Sequence, residues 1–134
     1  MELLVGTDII EIDRIKTAIE KSERNHFLEK IFTENEVKYC EGRNATKYES
    51  YAARFAGKEA VSKAFGTGIG ANAAFKEIEI LNDDLGKPYV TLHGAAKEYY
   101  EKIGSAGLSI SLSHCKSYAI AYVSIFVNKK GSFT

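Results

Sequence analysis

Apolar and polar positions along the chain follow two periodicities, which together predict a mixture of strands and helices. Residues 3–12 are mostly apolar, as is typical of a buried strand, whereas residues 108–114 alternate strictly and predict a strand with one buried face. Residues 44–65 carry small or apolar side chains on both sides of a predicted helix. The remaining predicted elements, in chain order, are helices at 14–23, 25–30 and 33–40, strands at 75–81 and 89–92, a helix at 94–103 and a strand at 118–127.

Local capping signals support several of these boundaries. Asp13 can cap the first helix, and Thr33 with Glu36 forms a capping box for the third. Gly66 follows the last turn of the long helix and can end it in the left-handed conformation. The predicted fold class is α+β, with helices packed on a largely antiparallel sheet that joins the first strand to the later ones. We expect a single domain over residues 1–134.

Two acidic residues occupy positions that the pattern predicts to be buried. Glu59 lies on the long helix, and Asp8 shares one face of the first strand with Gly6, which leaves room for a close approach to the backbone. An ionised carboxylate is costly in an interior, so Glu59 requires Lys63 one turn later, a metal ion, or both. Each acid alone is best explained by a basic partner, but the two together favour one site for a hard cation. Mg²⁺ fits best, because one or two carboxylates plus substrate phosphates and waters usually hold it.

Four segments carry recognisable motifs, at residues 6–12, 54–60, 63–68 and 111–114. They resemble, in the same order, the signatures of the holo-acyl-carrier-protein synthases, the small bacterial type of phosphopantetheinyl transferase. The most specific part is Phe-Ala-Gly-Lys-Glu-Ala followed by Lys-Ala-Phe-Gly. The resemblance runs from about residue 3 to about residue 126, and the stretch 41–48 and the last few residues match no signature.

The resemblance implies a transferase. The family moves the phosphopantetheine arm of coenzyme A to a serine of apo acyl carrier protein and releases adenosine 3′,5′-bisphosphate, in fatty acid biosynthesis. Asp8 and Glu59 match the family's Mg²⁺ ligands. Lys63 is expected to stabilise the phosphate or the leaving group, and its alternative role is an ion pair with Glu59 at i,i+4 spacing. The base for the serine proton is either Glu59 itself or a metal-bound water.

Besides Lys63, four positions are candidates for coenzyme A contacts. His114 resembles a family contact, although a lone histidine on an apolar face is more often a core residue; Cys115 follows it where the family more often has a small polar residue. Arg54 is a candidate for the nucleotide phosphates, with a structural salt bridge as the alternative. The loop with Gly66 and Gly68 follows a helix C-terminus, whose dipole repels anions, so it is not a phosphate loop by itself. In the family this loop helps to shape the nucleotide pocket.

The net charge and its distribution along the chain indicate which classes of binding partner are expected. Eighteen basic and eighteen acidic residues give a formal net charge of zero, which does not indicate nucleic acid as a partner. On the first helix, Lys21 lies nearly beneath Arg14, with Arg24 about a quarter-turn away, while Ile15 and Ile19 anchor an adjacent face. This basic face suits an acidic partner such as the family's acyl carrier proteins. An ordinary solvated face is the alternative.

We expect an oligomer, because the long helix and the first strand are apolar on both sides. One small domain cannot cover this much apolar surface by itself. The family resemblance implies that this oligomer is a trimer, with the pocket between neighbouring subunits. Cys40 and Cys115 suggest neither a metal site nor a disulfide framework. With no secretory signal and no apolar run long enough to span a membrane, we expect a cytoplasmic protein.

Two other functions use the same residues. A Mg²⁺-dependent pyrophosphate hydrolase could employ two carboxylates and a lysine, although the acid-rich helical cassette usual in such enzymes is missing. In a non-catalytic oligomeric binding module, Asp8 and Glu59 would only bridge two structural elements.

Overall fold

The computed structural model describes residues 1–128, which fold into five helices and five strands within that range. None of these helices has both the length and the apolar character needed to cross a membrane. The elements are β1 (Glu2–Glu11), α1 (Ile12–Lys21), α2 (His26–Ile31), α3 (Glu34–Glu41), α4 (Lys47–Phe65), β2 (Ile78–Asn82), β3 (Pro88–Leu92), α5 (Gly94–Lys102), β4 (Ser105–His114) and β5 (Tyr118–Val127).

The strands form two antiparallel sheets. The larger has the order β1-β5-β4, so the first strand pairs with the last, and β2 and β3 form a separate hairpin. The predicted α+β class, with the first strand joined to later ones, is confirmed, and the single sheet of the prediction is resolved into two. Asp8 lies opposite Ala121, and His114 lies opposite Ala119, so both point to the same face of the large sheet.

Helix α4 packs across this inner face at very close range. A Cβ atom at Gly6 would clash with the carbonyl oxygen of Ala60, so glycine is required where α4 meets β1. On another side of the helix, a Cβ at Gly57 would lie 2.5 Å from Cδ1 of Ile80. The sequence predicted a close approach at Gly6, and the structure identifies the approaching group as the backbone of α4.

The outer face of the large sheet keeps its apolar side chains exposed in the single chain. Leu3, Val5 and Ile9 of β1 are 60%, 52% and 61% exposed, and on β5 Ile120 and Tyr122 are exposed as well. The two faces of β1 follow the predicted period of two, but one chain covers only the inner face. The prediction of a buried strand is therefore wrong for the outer face of the single chain.

The start of α1 differs from the prediction. The N-cap residue is Glu11, and Asp13 lies inside the first turn, so the predicted capping by Asp13 is wrong. Ile12 is buried, and its N–H donates to the carbonyl oxygen of Ser117 at 2.9 Å. These contacts start the helix directly at the end of β1.

The end of α1 also differs, with a consequence for the basic residues. The helix ends at Lys21, and Arg24 lies in the following 3₁₀ turn with a left-handed φ of 53°. The expectation that Arg24 lies near the line through Arg14 and Lys21 on one continuous helix is therefore wrong. Ile15 is buried and Ile19 is half-buried, which confirms the predicted anchoring face.

Backbone conformation sets three further boundaries. The capping box of Thr33 and Glu36 is present, and Gly66 ends α4 with φ 81°, both as predicted. Asn44 has φ 54° and begins a 3₁₀ turn, so α4 starts three residues later than expected. Residues Phe75–Glu77 form a 3₁₀ turn rather than the start of β2.

Candidate active site

The structure brings Asp8 and Glu59 together where α4 crosses β1. Burial and the negative charge of Asp8 raise the pKa of Glu59, while Lys63 acts in the opposite direction. A partly desolvated carboxylate next to a like charge is relieved by a cation. The two carboxylates on different elements therefore form one electrostatic unit.

Lys63 completes this cluster on the solvent side. Its Nζ lies 3.0 Å from Oδ1 of Asp8 and also donates to the carbonyl oxygen of Thr7 at 3.0 Å. The ion pair forms with Asp8 across two elements, so the i,i+4 pair with Glu59 is not the contact that forms. The Lys63 side chain is 52% exposed, which leaves its ammonium group accessible to an anion.

The acidic pair suits a magnesium ion. Within residues 1–128, no group of three or more His, Cys, Asp or Glu side chains could hold a metal, so no all-protein cage is present in that range. Mg²⁺ needs no such cage, because water and phosphate oxygens complete its octahedral shell. Asp8 and Glu59 would hold the ion, and Lys63 lies beside Asp8.

The glycine loop begins one turn beyond Lys63. Gly66 and Gly68 have φ values of 81° and 72°, and a Cβ at either position would meet no atom within 4 Å. The constraint at both positions is therefore the left-handed backbone and not space. The N–H of Gly68 donates to the carbonyl oxygen of Ser62 at 3.2 Å, which folds the loop back on the end of α4.

Arg54 and His114 line a different cavity, of about 320 Å³. Arg43 also lines it, together with Asn82 from the end of β2 and Gly86 from the turn between β2 and β3. Sequence analysis missed Arg43, because it lies in the stretch that matched no family signature. Its only signal was a basic residue between two predicted helices.

Helix α4 separates this cavity from the acidic pair. Arg54 and Glu59 are five positions apart and so lie about 140° apart around the helix. Neither Asp8, Glu59 nor Lys63 lines the cavity that contains His114. One chain therefore carries two clusters of predicted site residues, on different sides of the same helix.

Arg54 is 3% exposed and has a structural role. It donates to the carbonyl oxygens of Ile80 (3.1 Å) and Ser50 (3.4 Å) and to Oδ1 of Asn82, and its guanidinium lies 4.3 Å from the ring centre of Tyr39. No carboxylate of residues 1–128 lies within ion-pair distance, so the alternative of a structural salt bridge is not observed. Its positive charge at the cavity is left without a paired carboxylate in that range.

Sequence analysis also missed a fully buried ion pair, which involves Lys58, the residue before Glu59 on α4. Lys58 Nζ lies 2.7 Å from Oε1 of Glu36, and neither side chain has any exposed surface. Nζ also donates to the carbonyl oxygens of Phe75 and Ile78, and Glu36 accepts the N–H of Ile80. Burial lowers the pKa of Lys58, and the Glu36 carboxylate opposes that shift. This network ties α3, α4 and β2 together.

The basic residues of the first helix lie on the surface. Arg14 and Lys21 are exposed and share one face of α1, while Arg24 is exposed in the turn that follows. None of the three lines the cavity that contains His114.

The sequence matches the 4′-phosphopantetheinyl transferase superfamily over residues 4–123. It is 70% identical to a holo-[acyl-carrier-protein] synthase of Ruminiclostridium cellulolyticum, with 93% of this chain and 92% of that protein covered. The fold is similar to that of the Neisseria meningitidis holo-[acyl-carrier-protein] synthase, with a TM-score of 0.83, 32% identity, and 92% and 97% of the two chains covered. It is also similar to the Helicobacter pylori enzyme in complex with coenzyme A, with a TM-score of 0.80, 34% identity, and coverage of 92% and 100%.

These similarities extend over nearly the whole chain and agree with the fold class. They confirm the resemblance that the motifs indicated and the expectation of an enzyme. The chain belongs to the 4′-phosphopantetheinyl transferase superfamily, among its holo-[acyl-carrier-protein] synthases.

Proposed function

We propose that this enzyme transfers the 4′-phosphopantetheine group of coenzyme A to a serine of apo acyl carrier protein in a Mg²⁺-dependent reaction of fatty acid biosynthesis. The relatives are named holo-[acyl-carrier-protein] synthases, and the Helicobacter pylori enzyme is in complex with coenzyme A. The observation that carries the proposal is the pairing of Asp8 with Glu59, with the exposed Lys63 beside them. Reduced cysteines and these substrates suit the cytoplasm.

In the proposed reaction, the serine oxygen bonds to the phosphorus that carries pantetheine, and the bond from that phosphorus to the bridging oxygen breaks. Adenosine 3′,5′-bisphosphate leaves with the bonding electron pair. Bound Mg²⁺ would neutralise charge on the pyrophosphate. Lys63 stabilises the negative charge that moves to the leaving group, and Glu59 is the candidate carboxylate for the serine proton.

We further propose that the complete pocket lies between two subunits of a homotrimer. Coenzyme A carries a pyrophosphate and a separate 3′-phosphate. These groups suit the acidic, metal-binding cluster with Lys63 and the cavity with Arg43, Arg54 and His114, whose lining also includes the carboxylate of Glu49. Because α4 separates these clusters within one chain, neighbouring subunits would each supply one, with Gly66 and Gly68 bordering the first. The exposed apolar outer face of the large sheet is the surface that such an assembly would bury. The number three comes from the family resemblance.

The oligomer is tested by sedimentation at micromolar concentration. We expect wild type to sediment as a trimer and Ile9→Asp to dissociate, because a charge on the outer face would be desolvated at the contact. Leu85→Asp is the matched control, since Leu85 is an exposed leucine in the turn between β2 and β3. A stable, active wild-type monomer would reject the assembly.

The activity is tested by incubating the enzyme with coenzyme A, Mg²⁺ and an apo acyl carrier protein, and weighing the carrier by mass spectrometry. A gain equal to one phosphopantetheine group supports the transfer. Cleavage of coenzyme A without that gain would indicate the pyrophosphate hydrolase, and no reaction would indicate the binding module.

A further inference from the structure

The turn between β2 and β3 forms one wall of the cavity that contains His114. Gly86 lines the cavity from this turn, and Asn82 lines it from the end of β2. The turn is closed on its other side by Asp83, whose Oδ1 accepts the N–H groups of Leu85 and Lys87 at 2.9 Å each. The Asp83 side chain therefore holds residues 83–87 of the turn on the side away from Asn82.

Asn82 instead connects the turn to the long helix. Its Oδ1 accepts a hydrogen bond from Nη2 of Arg54, and its Nδ2 donates to the carbonyl oxygen of Gly86 at 2.8 Å. Arg54 is itself held by Ile80 and stacked on Tyr39. The amide of Asn82 thus joins an immobilised guanidinium on one cavity wall to the backbone of the other.

We infer that Asn82 is a positioning residue for coenzyme A, acting through Arg54 and Gly86 and not on the reacting atoms. The inference rests on the proposed function, in which this cavity receives part of the nucleotide. A nearly buried arginine that loses a neutral acceptor must find another partner or change its orientation. The Gly86 carbonyl is released at the same time, so the side-chain link between Arg54 and the turn is lost, although Arg54 keeps its bond to Ile80. A cavity that must be ordered by its ligand binds that ligand more weakly.

The test compares steady-state kinetics of Asn82→Ala with wild type. Removing both hydrogen bonds is expected to raise KM for coenzyme A by about five- to tenfold, with kcat and KM for the carrier within about twofold of wild type. Asn82→Asp keeps an acceptor for Arg54 but loses the donor to Gly86 and pairs the charge of Arg54, so its KM for coenzyme A should rise at least as much as that of Asn82→Ala. Asp84→Ala, an exposed position in the same turn, is the control and should match wild type.

His114→Ala separates failure of this inference from failure of the proposed function. If His114→Ala raises KM for coenzyme A while Asn82→Ala does not, the cavity binds coenzyme A and Asn82 does not position it. If neither variant changes this KM, the cavity is not part of the coenzyme A site. If Asn82→Ala lowers Tm and raises both KM values in parallel, its role is general stability, and the inference is wrong.

Discussion

Two neighbouring residues of α4, Lys58 and Glu59, place charge in the interior in opposite ways. Lys58 is completely buried, and its ammonium group has one carboxylate partner and two carbonyl acceptors. Glu59 is half-buried, and its electrostatic neighbours include the like charge of Asp8, which raises its pKa together with burial. One charge is neutralised inside the protein, whereas the other is left to interact with something outside it.

We propose that this difference, more than burial alone, distinguishes a structural charge from a functional one. Fully paired buried charges connect secondary-structure elements, and a bound ligand would change their electrostatic energy little. A like-charged pair with an exposed lysine is higher in energy until a cation and an anion arrive. Substitution of Lys58 should therefore lower stability, whereas substitution of Glu59 should lower activity. Substitutions of exposed charged residues should have the smallest effects on both.

The largest effect is expected for Lys58→Met, in protein stability. The variant leaves the Glu36 carboxylate buried without its cation, which typically costs about 3–5 kcal/mol of unfolding free energy. Urea unfolding monitored by circular dichroism measures the loss. Lys58→Met combined with Glu36→Gln removes the unpaired charge and should recover much of it. Equal unfolding free energies of the single and double variants would show that the unpaired Glu36 carboxylate is not what destabilises Lys58→Met.

The second effect concerns catalysis and is expected at Asp8 and Glu59. Asp8→Ala or Glu59→Ala should lose transfer activity by about a hundredfold or more, because several kcal/mol of charge stabilisation are lost. The fold should be retained, in contrast to Lys58→Met. Calorimetric titration should also show weakened Mg²⁺ binding. Unchanged binding of Mg²⁺ and coenzyme A in both variants would contradict a shared metal site.

The smallest effect is expected from exposed charge on α1, which we propose as the docking surface for the carrier. Charge at the rim of an interface acts mostly on encounter and is screened by salt. Arg14→Glu with Lys21→Glu should raise KM for the carrier about several-fold at low salt and leave KM for coenzyme A unchanged. Added salt should weaken wild type more than the double variant.

The control for this experiment is Lys97→Glu with Lys102→Glu, which makes the same charge change at exposed positions of α5. If both double variants raise KM for the carrier equally, overall charge and not α1 is responsible. If neither changes it, α1 is not the docking surface. Arg24 can be tested separately, because it lies beyond the end of the helix.

Much of the fold could be predicted from local patterns. Alternation in residues 108–114, the capping box at Thr33 and the glycine at 66 all depend on nearest neighbours, and each is present in the structure. The predictions that failed depended on distant contacts. Asp13 lost its capping position because Ile12 is held by Ser117, more than a hundred residues away.

For the site, the sequence by itself determined the pair of misplaced acids, the lysine one turn away and the family. Only the tertiary structure decided which charges are paired, because an ion pair depends on side chains that approach across elements. Lys63 binds Asp8 and not Glu59, and Lys58 meets Glu36 from another helix. The tertiary structure also decided that α4 separates the acidic pair from the cavity with His114. Helix periodicity predicts the angle between two side chains around α4, but not which other elements pack against each side of the helix.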